Sequence, residues 1–182
     1  GQQVHYIDPR TGERLASVEV PGPRKLAVAE NGSVYVTSDT KAIYRIDPSR
    51  NVSPWITTGL EDPKAITVDP ATGNVFVWDA GESRQIKQFS PDGELRHTFG
   101  RKGGRQLGSY DAQHFSGVKD ILATGQGQLL IAEFGTPRRV ALFDLDSERV
   151  VDQWFGGHGF YNAVFINPNN PSDVWLESHN NG

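Results

Sequence analysis

Two kinds of hairpin alternate along this chain, and that alternation restricts its fold more than any other feature of the sequence. The first kind opens at Lys25-Leu-Ala-Val-Ala-Glu-Asn-Gly-Ser-Val-Tyr-Val and recurs from Lys64, Lys119 and Asn162. Each copy is a short apolar run, a turn of Gly, Asn or Pro, and a second apolar run, the pattern of a tight β-hairpin. The second kind opens at Val4, Ile43, Ile86 and Val140, as in Ile43-Tyr-Arg-Ile-Asp-Pro-Ser-Arg-Asn, and each copy runs on into a strand-like segment at Leu15, Val52, Leu95 or Val150. One hairpin of each kind makes a four-stranded unit. The first kind starts at 25, 64, 119 and 162, so the units are 39, 55 and 43 residues long, which are blade lengths for an all-β propeller of four-stranded antiparallel blades. The division predicted is an outer hairpin over 1–24, blades over 25–63, 64–117 and 118–161, and an inner hairpin over 162–182. No window of eleven residues keeps an apolar helical period free of Gly and Pro. At least fourteen strands and no helix longer than two turns are expected.

Composition narrows the function. Nine Phe, five Tyr and four Trp supply core side chains that a disordered segment lacks. Eighteen Lys and Arg against 22 Asp and Glu leave a net charge of −4, which argues against nucleic acid as the partner. With no Cys, a disulfide scaffold, a thiolate zinc site and a Cys nucleophile are excluded. No stretch is long and apolar enough to cross a membrane as a helix.

Asn74-Val-Phe-Val-Trp-Asp79, Arg84-Gln-Ile, Phe89-Ser-Pro-Asp-Gly93 and Phe99-Gly100 resemble the NHL-repeat signature, which returns at Leu129-Leu-Ile-Ala-Glu133, Arg138-Arg-Val140, Phe143 and Phe155-Gly156. The segment Gly100 to Gly108 with its sequel resembles a version found in exported bacterial proteins of mostly unassigned function. Such families form six-bladed rings as a rule. Four blade equivalents therefore either close as a four-unit ring by pairing the two ends or, as the resemblance favours, belong to a larger ring completed by further blades of the same protein or by a self-assembly partner, in an extracytoplasmic location. The resemblance also implies a non-catalytic binding or scaffold module for a protein or glycan. The alternative is a propeller enzyme, a lyase or lactonase with zinc or calcium in its channel. His114-Phe115 resembles the His-Phe that opens blades in the amidating lyases, His158 occupies the corresponding connection one blade later, and Asn162, Asp120 and Glu133 are the oxygen donors a calcium site would use. The non-catalytic reading, without cofactor, is the one favoured.

Asp79 and Arg84 have the same offset as Glu133 and Arg138. Repetition in successive blades reads as a structural pair, the acid accepting loop N–H groups and holding the Arg. The first and last units carry Ser38 and Ser178 there, with Asp39 and Glu177 displaced by one position. The 55-residue unit contains an insertion from Arg101 to His114 in which Arg101, Lys102 and Arg105 crowd five positions. This loop reads either as a solvated surface connection or as a clamp for an anionic ligand, and its three cations are expected to contribute little to stability. Tyr110 and Tyr161, in connections, are the candidates for stacking on a sugar, whereas Trp55, Trp78, Trp154 and Trp175 lie in strands and are expected to pack between blades.

Overall fold

The computed structural model describes residues 2–105, 109–135 and 137–156 in full and the backbone of 160–167 and 170–179. Sixteen strands and no helix occur among these residues. They are β1 (Gln3–Ile7), β2 (Arg14–Glu19), β3 (Pro23–Val28), β4 (Val34–Ser38), β5 (Ile43–Ile46), β6 (Val52–Ile56), β7 (Pro63–Val68), β8 (Val75–Asp79), β9 (Gln85–Phe89) and β10 (Leu95–Phe99), followed by β11 (Val118–Ala123), β12 (Gln128–Glu133), β13 (Arg139–Asp144), β14 (Arg149–Phe155), β15 (Phe160–Asn167) and β16 (Asn170–His179). Three four-stranded meanders, β3–β6, β7–β10 and β11–β14, stand between two two-stranded sheets, β1–β2 and β15–β16. All pairings are antiparallel, and the first strand of each unit lies against the first strand of the next: β3 against β7, β7 against β11, β11 against β15. This is the β-propeller arrangement, with the first strands innermost.

Tight turns set the hairpins. In Asp69-Pro-Ala-Thr-Gly73 the Asp69 carboxylate accepts the Ala71 N–H (3.1 Å) and the Thr72 hydroxyl (2.6 Å). Gly73 then turns the chain at φ +72°, a conformation that costs residues with a Cβ.

Strand period two sends alternate side chains of one strand into two different interfaces. On β8, Phe76 and Trp78 join Phe99, Phe115, Leu129, Ile131 and Phe143 between the second and third blades. Val75 and Val77 join Tyr35, Ile43, Ile66 and Phe89 between the first and second. A third cluster, Val4, Val20, Val34, Val36 and Ile46, seats the β1–β2 hairpin on the first blade. Trp78 and Phe115 meet edge to face at 6.4 Å, and Phe115 and Phe143 at 5.6 Å. Each of these buried aromatics contributes roughly 1.5 to 3 kcal/mol relative to exposure.

The two-stranded sheets cover their neighbours unequally. The β1–β2 hairpin covers β4 and β5 but leaves Leu26 and Val28 of the innermost strand β3 at 49% and 61% exposure. At the other end β15 lies against β11 and β12, while Val151, Trp154 and Phe155 of the outer strand β14 are about half exposed (52%, 48% and 55%). The expected packing of strand tryptophans between blades therefore holds for Trp78 and for the half-buried Trp55, which meets Tyr35 at 4.5 Å, and not for Trp154. Trp175 lies in β16, of whose side chains nothing is described.

Candidate functional site

The last residue of the second strand occupies one register position in all three complete blades. Ser38 faces Pro23, Asp79 faces Pro63 and Glu133 faces Val118. The residue that follows donates the same backbone bond each time, Asp39 to Gly22 (2.9 Å), Ala80 to Asp62 (2.9 Å) and Phe134 to Gly117 (3.0 Å). Each side chain then satisfies the connection that enters its own blade. Ser38 donates to the Pro21 carbonyl at 2.6 Å, Asp79 accepts the N–H groups of Asp62 (2.7 Å) and Glu61 (3.1 Å), and Glu133 accepts that of Ser116 at 2.7 Å.

The cations that neutralise the two acids are not the ones the common offset suggests. Asp79 pairs with Lys87 at 2.6 Å, and the same ammonium donates to the Gly59 carbonyl. Glu133 pairs with Arg139 and, at 3.0 Å, with Arg105. Strand register is the reason. Asp79 lies opposite Gln85 and Glu133 opposite Arg139, so a cation on the same face is the facing residue or one two positions along. Arg84 and Arg138 precede their strands. Arg84 sits in the left-handed region at φ 48°, and Arg138 lies 4.4 Å over the Phe134 ring. Burial acts to raise the Asp79 pKa, but the Lys87 ammonium and the two N–H groups outweigh it and hold the carboxyl below its ordinary value. Burial pushes Glu133 up, opposed by Arg139, Arg105 and the Ser116 N–H.

The insertion after β10 is fixed to the propeller. Gly103 donates to the Ser83 carbonyl (2.7 Å), Arg105 to that of Phe115 (3.2 Å) and Arg101 to that of Gln113 (2.9 Å). A Cβ at Gly104, whose φ is +67°, would lie 2.6 Å from Arg84 Cδ and 2.9 Å from the Phe115 carbonyl oxygen, so only glycine lets the loop approach so closely.

The loop cations differ in role. The side chain of Arg105 is 7% exposed and pairs with Glu133 and the Pro137 carbonyl, and the same residue borders the cleft that Arg101, Tyr110 and His114 line. The Glu133 carboxylate recruits it because a buried anion flanked by one guanidinium still has an uncovered oxygen lone pair. Arg101 and His114 both reach Asp111, each at 3.2 Å, and the Gln113 N–H leads the influences that lower the Asp111 pKa. Lys102 is exposed. Tyr110 donates to Gln153 (2.6 Å) and accepts from Arg139 Nη1 (2.6 Å), while its ring, 45% exposed, lies 6.1 Å from Phe155. Arg101, Arg105, Ser109, Tyr110, Asp111 and His114 border that open cleft of about 630 Å³. His158 lies outside the described residues, and Tyr161 is described by its backbone alone, paired with Ser178. Among the described residues no three His, Asp or Glu side chains converge as a metal site requires.

Fold and site together define a β-propeller. No protein-family model matches the chain. Among solved structures it is similar to hydrazine synthase of Kuenenia stuttgartiensis (TM-score 0.67, 19% identity, 93% of this chain and 48% of that one). It is also similar to a protein of unknown function from Bacteroides caccae (0.63, 15%, 93% and 60%) and to U3-55K (0.66, 15%, 91% and 49%). The chain thus spans about half to three fifths of the proteins it matches. At these identities the likeness is one of fold.

Proposed function

We propose that the chain is a non-catalytic binding or scaffold module, of the NHL kind and part of an exported protein, that engages a protein or glycan through the insertion and the neighbouring strand β14. The observation that carries this reading is the exposed aromatic pair of Tyr110 and Phe155, whose rings lie 6.1 Å apart. Phe155 ends strand β14, and Tyr110 is held against that strand by its hydrogen bonds to Gln153 and Arg139. Aromatic rings held rigid contribute contact area at little conformational cost, and Arg101, which borders the same cleft as Tyr110, adds charge that favours acidic groups on the partner.

Phe155→Ala tests it, because this ring is 55% exposed and its loss leaves the core intact. Binding is measured on panels of neutral and uronic-acid oligosaccharides, and self-association by sedimentation. The variant should lose about tenfold or more in whichever interaction the wild type shows, with its melting temperature unchanged. Full binding by Phe155→Ala would remove the aromatic surface from the reading.

A further inference from the structure

The innermost strands share a feature that the aromatic surface does not use. In β3, β7 and β11 the ladder shifts register just after the first residues, between Pro23 and Leu26, Pro63 and Ala65, and Val118 and Asp120. Lys25, Lys64 and Lys119 lie in those three shifts. A bulge residue is released from the pleat and re-aimed, and in the first blade Thr37 Oγ1 takes over the hydrogen bonds that the ladder gives up at Lys25, with its N–H at 3.1 Å and its carbonyl at 3.3 Å. The three lysines converge with Arg84 on one pocket of about 480 Å³, walled by Trp78, Ala80 and Val118.

We propose that this axial pocket binds a compact polyanion, a small molecule carrying two or more phosphate or carboxylate groups. Four cations and no carboxylate line it among the described residues, in a chain whose net charge is −4. The acids nearest in the repeat are already committed, Asp79 to Lys87 and Glu133 to Arg105 and Arg139. Two further carboxylates lie at the connection into β7. Glu61 accepts the Glu82 N–H at 2.5 Å, and Asp62 reaches Lys64 at 2.9 Å with both side chains about two fifths exposed. An exposed pair of that kind is worth under about 1 kcal/mol and yields to a multivalent anion. Lys119, at the pocket, stands 5.1 Å from the Phe134 ring that also carries Arg138, so one aromatic ring attracts two cations. Arg84 is kept there by the close approach of Gly104. A concave, partly apolar wall concentrates the field of such a group.

The site is separate from the aromatic surface, and its test separates the two. Inorganic tripolyphosphate and citrate are titrated calorimetrically into the chain at about 25 mM salt, where screening is weak. Saturable one-to-one binding of at least one probe is expected, weakening about tenfold or more at 200 mM salt, as charge-driven contacts do. A preference for tripolyphosphate assigns phosphate chemistry, and a preference for citrate assigns carboxylate. Lys64→Gln with Lys119→Gln should weaken binding about tenfold or more at unchanged melting temperature, while Lys102→Gln and Phe155→Ala bind as wild type. Absence of saturable binding by both probes, or wild-type affinity in the double variant, would overturn the proposal and leave the aromatic surface untouched.

Discussion

Replacing Glu133 tests the ion-pair network more sharply than any other single change. Its carboxylate is fully buried beside Arg139, also fully buried, and Arg105 at 7% exposure. One negative charge thus holds two positive ones out of water. In Glu133→Gln the amide oxygen still accepts one donor, but both guanidiniums lose their counter-charge. Arg139 keeps the Ala112 carbonyl (2.7 Å), Tyr110 (2.6 Å) and Gln153 (2.8 Å), and Arg105 keeps the Pro137 carbonyl (3.2 Å). Breaking a buried pair from one side costs about 3 to 5 kcal/mol. With these remaining acceptors Glu133→Gln should fall near the lower figure and Glu133→Ala near the upper. Arg105→Gln should cost about 1 to 2 kcal/mol, because the Glu133–Arg139 pair survives it. The double variant should cost less than the sum of the singles, since it buries one uncompensated cation fewer. Urea unfolding followed by tryptophan fluorescence reads all of these. A Glu133→Gln variant within about 1 kcal/mol of wild type, or an Arg105→Gln variant as costly as it, would refute the charge argument.

Two more outcomes follow from the same geometry. The Asp79 pKa is lower in the folded chain than its ordinary value of about 3.9, so its ion pair contributes stability above that value and the contribution disappears as pH falls through the lowered one. Melting temperature followed from about pH 5 to pH 2 should therefore fall less steeply in Asp79→Asn than in wild type; parallel curves would show that the pair does not titrate as described. Gly104→Ala and Gly127→Ala both place a Cβ at positive φ (+67° and +75°), but only the first meets atoms within 3 Å, whereas the second meets nothing within 4 Å. Both should lose about 1 kcal/mol to the backbone conformation, with a further 1 to 3 kcal/mol, roughly, at Gly104 alone. Equal melting temperatures for the two variants would mean that the loop moves aside freely.

The class of fold was legible in the sequence because its determinants are local. Apolar runs at Val34-Tyr-Val and Val75-Phe-Val-Trp, with turns such as Asp69-Pro-Ala-Thr-Gly73 between them, specify hairpins from neighbours a few residues apart. The repeated acid at Asp79 and Glu133 was legible for the same reason. Its partners were not. An offset of five residues along the chain carries no information about which side chain faces which across a hairpin; the register places Arg139 opposite Glu133 and Lys87 on the face of Asp79. Nor did a cluster of basic residues reveal that one of them, Arg105, turns inward, because the carboxylate that draws it in belongs to a strand 28 residues further on. Likewise the lysines that open three repeats stand 39 and 55 residues apart in the sequence. They share a pocket only once bulged innermost strands are stacked side by side around an axis, because burial of each blade's two apolar faces sets that stacking, and no single repeat contains it.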